Sequence, residues 1–129
     1  MFSRFICCLL IILPLTTIAS NSVNLETTMK NMGLALKQAR EAATPQAAQP
    51  YIAELTELTA LAKTAQFPED KALTYREGLN KVLLALQQAQ RAAEAGDQAK
   101  LKTALAEVEA LRKHYHKQRK VSFWQLLFG

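Results

Sequence analysis

Three breaks divide most of this chain into helical lengths: Thr44-Pro45, Phe67-Pro68-Glu69-Asp70 and Gly96-Asp97. Between them, apolar residues recur in alternating steps of four and three. That is the period of a helix burying one face, and it constrains the fold more than any other feature.

Segment A opens at an Asn24 cap and places Leu25, Met29, Met32, Leu36, Ala39 and Ala43 on one stripe. It ends before Thr44-Pro45, because a proline ring disfavours helix at the preceding residue. Segment B begins near Pro50, since a start at Pro45 would put Pro50 inside the helix without its amide donor. Its stripe is Tyr51, Leu55, Leu58, Ala62 and Ala65, widened by Ile52 and Leu61. Segment C starts with a first-turn proline, Pro68, followed by two carboxylates, Glu69 and Asp70, at the positive end of the helix dipole. It buries Tyr75, Leu79, Val82, Leu86, Ala89 and Ala93, with Leu83 alongside. Gly96 supplies a left-handed C-terminal residue and Asp97 caps segment D. Segment D shows Leu101, Ala104, Val108, Leu111 and Tyr115 on one face, flanked by Leu105 and Arg112.

Helices of roughly 20 residues joined by short connections pack as antiparallel neighbours. The expected fold is therefore all-α, an antiparallel up-down-up-down four-helix bundle within residues 21–120. In it, the start of A and the end of D share one end. Composition agrees, with few glycines and prolines, about a fifth of residues charged, and too few β-branched residues for a sheet. The net charge is +5, but Lys and Arg alternate with Glu along most of the chain. Only Arg112–Lys120 is densely basic, and it lacks the interleaved aromatics and glycine-rich loops of a nucleic-acid surface. No nucleic-acid partner is expected, and the bundle reads as a monomer.

Residues 1–20 read as an export signal. Arg4 gives the positive region, Phe5–Leu15 the apolar run, and Thr17-Ile18-Ala19 or Ile18-Ala19-Ser20 the small-residue cleavage site. The apolar run is shorter than the ~20 residues of an easy transmembrane helix. An uncleaved anchor is the alternative. Cleavage removes Cys7, Cys8 and Arg4, and takes the formal charge from +5 to +4. The mature chain then has no disulfide, no thiol nucleophile and no C-x-x-C-H attachment, so any cofactor is held without a covalent link. Export is the expected reading.

Catalytic arrangements are absent from the pattern: no Ser/His/Asp or Cys/His spacing, no phosphate loop, no H-E-x-x-H. Neither histidine stands three residues after a glutamate, as a di-iron bundle requires. Glu54, Glu57, Glu107 and Glu109 read as solvent-facing charges, and no enzyme activity is expected. That leaves Met29, Met32, His114 and His116. Methionines on a stripe are commonly core filler, and His114 points to water between Lys113 and Lys117. His116 is different, lying at the edge of the core face one turn after Arg112. A thioether and an imidazole meeting at one end of an apolar bundle form a Met/His axial pair for a haem iron. Arg112 and the cations after it can pair the propionates.

These residues sit in longer matching stretches: Leu25-Glu26-Thr27-Thr28-Met29, Tyr75-Arg76-Glu77-Gly78-Leu79, Ala93-Glu94-Ala95-Gly96 and Leu111-Arg112-Lys113-His114-Tyr115-His116. Through them, from Leu25 to about Lys120, the chain resembles the soluble periplasmic cytochrome b562 family. The last stretch is the most specific, an arginine, two intervening residues and a Tyr-His pair. The resemblance implies a four-helix bundle binding one non-covalent haem b at one end, with electron transfer as its function. It puts the axial methionine on Met29 and the axial histidine on His116. It places Arg112 beside the haem, and Met32, Tyr75 and Leu79 along the pocket. The chain departs from the best-known members in a shorter B–C connection. Glu77 stands where such a member has a non-ligand histidine, and Lys117-Gln118-Arg119-Lys120 replaces a closing Tyr-Arg pair.

Residues 121–129 lie beyond the resemblance. Phe123, Trp124, Leu126, Leu127 and Phe128 follow a basic run and can make weak contact with a membrane surface. If segment D stays helical, Phe123 and Leu127 share the face of His116 and can shield the haem edge. The other reading of this tail is a disordered end. The leading function is a periplasmic haem-b electron carrier serving an unidentified redox protein. The alternatives are a haem store or an apo envelope protein binding a protein partner, and, more distantly, copper held by Met29, Met32, His114 and His116.

Overall fold

The computed structural model describes residues 23–128, with side chains described through Lys117. The 1–20 segment read as an export signal lies outside the described residues. Four helices follow in order: α1 Leu25–Glu41, α2 Pro45–Lys63, α3 Glu69–Glu94 and α4 Gln98–Phe128. Short connections at 42–44, 64–68 and 95–97 reverse the chain each time. Each helix packs along the next, and α1 meets α4 over much less of its length, closing the bundle. This is the expected up-down-up-down arrangement.

Local chemistry sets the ends. The Asn24 side-chain oxygen accepts the Thr27 amide at 3.0 Å, satisfying an amide that the first turn of α1 would leave unpaired. At the α3–α4 corner Gly96 adopts φ +68°, the left-handed region open to glycine. The Asp97 amide reaches back to the Ala92 carbonyl at 2.9 Å and the Gly96 amide to Ala93 at 3.1 Å, so the last turn of α3 closes on itself. Asp97 Oδ1 then accepts the Lys100 amide at 3.0 Å and starts α4.

Three expectations are corrected. First, α2 begins at Pro45, not near Pro50. Thr44 caps it, its hydroxyl accepting the Ala47 amide at 3.1 Å, and Pro45 sits where no intrahelical donor is needed. Pro50 is carried inside the helix on its exposed side. Second, Ala43 falls in the connection and is exposed, and Leu61 is 45% exposed, so neither extends a buried stripe. Third, the helices are unequal, with α1 of 17 residues and α4 of 31. α4 stays helical through the tail to Phe128.

The core is dense in alanine, which lets the helix axes approach. Ala35, Ala39, Ala48, Ala85, Ala89 and Ala93 lie around Ile52, Leu55 and Leu86, the largest side chains fully enclosed apart from Thr59. Thr59 is polar yet 0% exposed; its hydroxyl donates to the Leu55 carbonyl at 2.6 Å, which removes the cost of burying it.

A cleft between a methionine and a histidine

Antiparallel packing brings the start of α1, the end of α2, the start of α3 and the end of α4 to one end. At that end the close packing stops. A small cleft of about 80 Å³, open to solvent, lies between α1, α3 and α4. Its lining is Met29 from α1, Tyr75, Gly78, Leu79 and Val82 from α3, and Leu111, Arg112, Tyr115 and His116 from α4. Five of the six residues singled out as a binding site thus face one space. Met32 does not line it; one turn further along α1, it packs against the hydrophobic core.

The walls have identifiable supports. Tyr75 is half-buried, and its ring meets that of Phe67 at 5.4 Å, tying the 64–68 connection to the mouth of the cleft. Tyr115 lies flat over Gly78: a Cβ built on that glycine would fall 2.6 Å from the ring. A glycine inside a helix costs about 1 kcal/mol relative to alanine. Here the absence of a side chain is what lets α4 bring Tyr115 so close to α3. Lys81, one turn on, donates to Glu77 at 3.0 Å. That bond first, then the Glu77 charge and the Tyr115 phenol, hold the Lys81 ammonium above its ordinary pKa.

Arg112 is anchored in the structure. Its Nε and Nη2 donate to the two oxygens of Glu109 at 2.9 and 2.8 Å, a bidentate pair. This corrects the reading of Glu109 as a solvent-facing charge. Its side chain is only 16% exposed, and its carboxyl is held below the usual range, first by the Arg112 hydrogen bond, with further help from the charges of Lys113 and Arg40. Arg112 is raised by the same bond. Fixed in this way, the guanidinium borders both the cleft and the shallower groove where α1 meets α4. His114 is exposed and stacks edge-on against Tyr115 at 5.1 Å, away from the cleft lining. The four donors of a copper site are therefore not gathered there.

Sequence reasoning did not assign Gly78, Val82, Leu111 and Tyr115 to the site. Val82, Leu111 and Tyr115 were legible as stripe residues, but periodicity says only that a position is buried. The one local signal for Gly78 is a glycine in mid-helix, which asks for a packing reason.

The lining can be tested against a haem. The cleft is an apolar recess that opens to solvent. Most of its walls are aliphatic or aromatic, and Arg112, at its edge, is a fixed cation suited to carboxylates. Among the described residues, no three His, Cys, Asp or Glu side chains are placed to hold a metal ion by themselves. A thioether and an imidazole instead suit a metal that brings its remaining ligands with it. The residues fit the group.

Fold and cleft together describe a helical bundle with haem-compatible residues at one end. The chain belongs to the cytochrome b562 family, whose model matches residues 24–120. No curated protein matches it. Members of the family bind non-covalent b-type haem and carry electrons.

Proposed function

We propose that the protein is an exported electron carrier in which the Met29 thioether and the His116 imidazole would hold the iron of a single haem b. The observation that carries this is the convergence of Met29 from α1 and His116 from α4 on one apolar cleft. When bound, the haem iron supplies a one-electron couple, and a methionine ligand favours the reduced state.

Each surrounding residue has a separate task. Leu79, Val82 and Leu111 exclude water from the interior of the cleft, and a low-dielectric surround makes the neighbouring charges felt more strongly. Tyr75, braced by Phe67, and Tyr115, seated on Gly78, form walls with little room to move. Arg112 presents donors at the rim, oriented in advance by Glu109. Met32, packed beside the core, supports α1 behind Met29.

Export rests on Arg4, the apolar run Phe5–Leu15 and the small residues at 17–20. The domain plan is a signal at 1–20, the haem-binding bundle at 21–120 and a tail at 121–129, with the periplasm as destination and a redox protein as partner. The N-terminal sequence of the purified protein should begin near residue 21.

Potentiometric titration distinguishes a carrier from a haem store. The expected result is one haem per chain, a reversible one-electron step, and complete exchange with a small protein donor within seconds. A protein that binds haem but exchanges electrons only over many minutes would instead be a store.

A further inference from the structure

The family match stops at residue 120, but α4 continues to Phe128. At 100° per residue, Gln118, Ser122 and Gln125 fall on one narrow strip of this extension. Val121, Phe123, Trp124, Leu126, Leu127 and Phe128 take the rest of the circumference. Directly before them come Arg112, Lys113, Lys117, Arg119 and Lys120, and no aspartate or glutamate stands between Glu109 and Gly129. By register these five cations share a broad side of the helix with Phe123, Trp124 and Leu127, opposite the glutamine–serine strip.

The rest of the same bundle end has compatible chemistry. Arg112, Lys113 and Lys117 are exposed. Leu61, near the end of α2, is 45% exposed and Leu73, near the start of α3, is 82% exposed. The neighbouring carboxylates Glu69 and Asp70 belong to the first turn of α3, and Glu26 is paired with Lys30 at 3.0 Å. Residues 121–128 amount to about 12 Å of helix. No helix among the described residues is long and apolar enough to cross a membrane. A basic collar followed by a short, mostly apolar helix suits the interface of an anionic bilayer, where apolar side chains reach the acyl boundary and cations meet the headgroups.

We infer that the end of α4 anchors the protein to the surface of an anionic membrane, through Phe123, Trp124 and Leu127 with Lys117, Arg119 and Lys120. This seats the cleft end of the bundle towards lipid, and the anchoring stands whether or not the cleft holds haem.

Trp124 is the only tryptophan in the chain, so its fluorescence reports this segment alone. The purified exported protein is mixed with vesicles of phosphatidylcholine, with or without phosphatidylglycerol, and followed by emission and co-sedimentation. The expected result is a blue shift and sedimentation on anionic vesicles, with much weaker binding to neutral ones. Replacing Lys117, Arg119 and Lys120 by Gln weakens binding about fivefold per charge. Phe123→Ser with Leu127→Ser lowers it by more than tenfold. Helical circular dichroism, recorded on each variant, remains at the wild-type value. Unchanged emission and sedimentation with anionic vesicles would overturn the inference, and equal binding to neutral vesicles would overturn the role of the cations. A blue shift that grows with protein concentration in the absence of lipid, together with a dimer in sedimentation velocity, would assign the surface to a second copy and overturn it as well.

Discussion

Gly78 and Gly33 are both helical glycines, yet they are expected to respond oppositely to the same substitution. At Gly78 a methyl group would meet the Tyr115 ring at 2.6–2.8 Å, so the ring or the helix must give way. Overpacking of this kind costs about 1–3 kcal/mol, against about 1 kcal/mol of gained helix propensity. Gly78→Ala should therefore lower stability by up to about 2 kcal/mol and weaken haem binding, because the displaced ring is a wall of the cleft. At Gly33 a methyl group meets nothing within 4 Å, and Gly33→Ala should stabilise the apoprotein by about 0.5–1 kcal/mol. Urea unfolding of both variants checks the pair. Glu109 offers a second test at this scale. Its carboxyl is lowered in the folded state, chiefly by Arg112, so the unfolded chain holds the proton more tightly as pH falls. The pair's contribution is complete above the ordinary carboxylate pKa of about 4.3 and is lost as pH drops through the lowered folded value. Because Arg112 is 43% exposed, Glu109→Gln should cost only about 0.5 kcal/mol at pH 7, and progressively less at an acid pH approaching that lowered folded value. An equal loss at both pH values would mean that Glu109 acts through packing.

Among the elements, α2 shows a cap outweighing a proline. Thr44 and Pro45 form a start strong enough to carry Pro50 inside the helix, although an interior proline costs about 3 kcal/mol. Pro50→Ala, on the exposed side, should therefore raise stability by about 1–3 kcal/mol, and Thr44→Ala should lower it by about 1 kcal/mol. Thermal melts of the two variants, moving in opposite directions, check this. The elements also show what could be read in advance. Breaks at Thr44-Pro45, Pro68 and Gly96-Asp97 were legible because each has a backbone reason to stop or start a helix. Stripes were legible wherever the spacing holds and the position lies inside the bundle. Ala43 and Leu61 failed because periodicity does not say where neighbouring helices end. The site was legible as far as Met29, Arg112 and His116 have distinctive chemistry, and Tyr75 and Leu79 came with the family resemblance. The part played by Gly78 and Tyr115 was not, since a contact between a missing side chain and a ring on another helix depends on register.

For the whole molecule, the alanine-dense interior and the cleft beside Met29 and His116 divide the work of folding and binding. Ile52, Leu55 and Leu86 stand well inside the bundle and need no ligand to be buried. The apoprotein should accordingly fold, and haem should add stability by mass action. At a free haem concentration 100 times Kd the gain is about 2.7 kcal/mol, or on the order of 10–20 °C in Tm for a domain of this size. Calorimetry with increasing haem checks this, and an unchanged Tm would place haem binding outside the folded bundle. The central proposal is that Met29 and His116 would both hold the iron of a haem bound in the cleft. Its most direct measurement is the absorption spectrum of the reduced, haem-loaded protein beside those of Met29→Ala and His116→Ala. The account predicts a six-coordinate low-spin spectrum for the wild type, and a high-spin spectrum or loss of haem in each variant. A low-spin spectrum unchanged in both variants, or no binding by the wild type at micromolar haem, would contradict it.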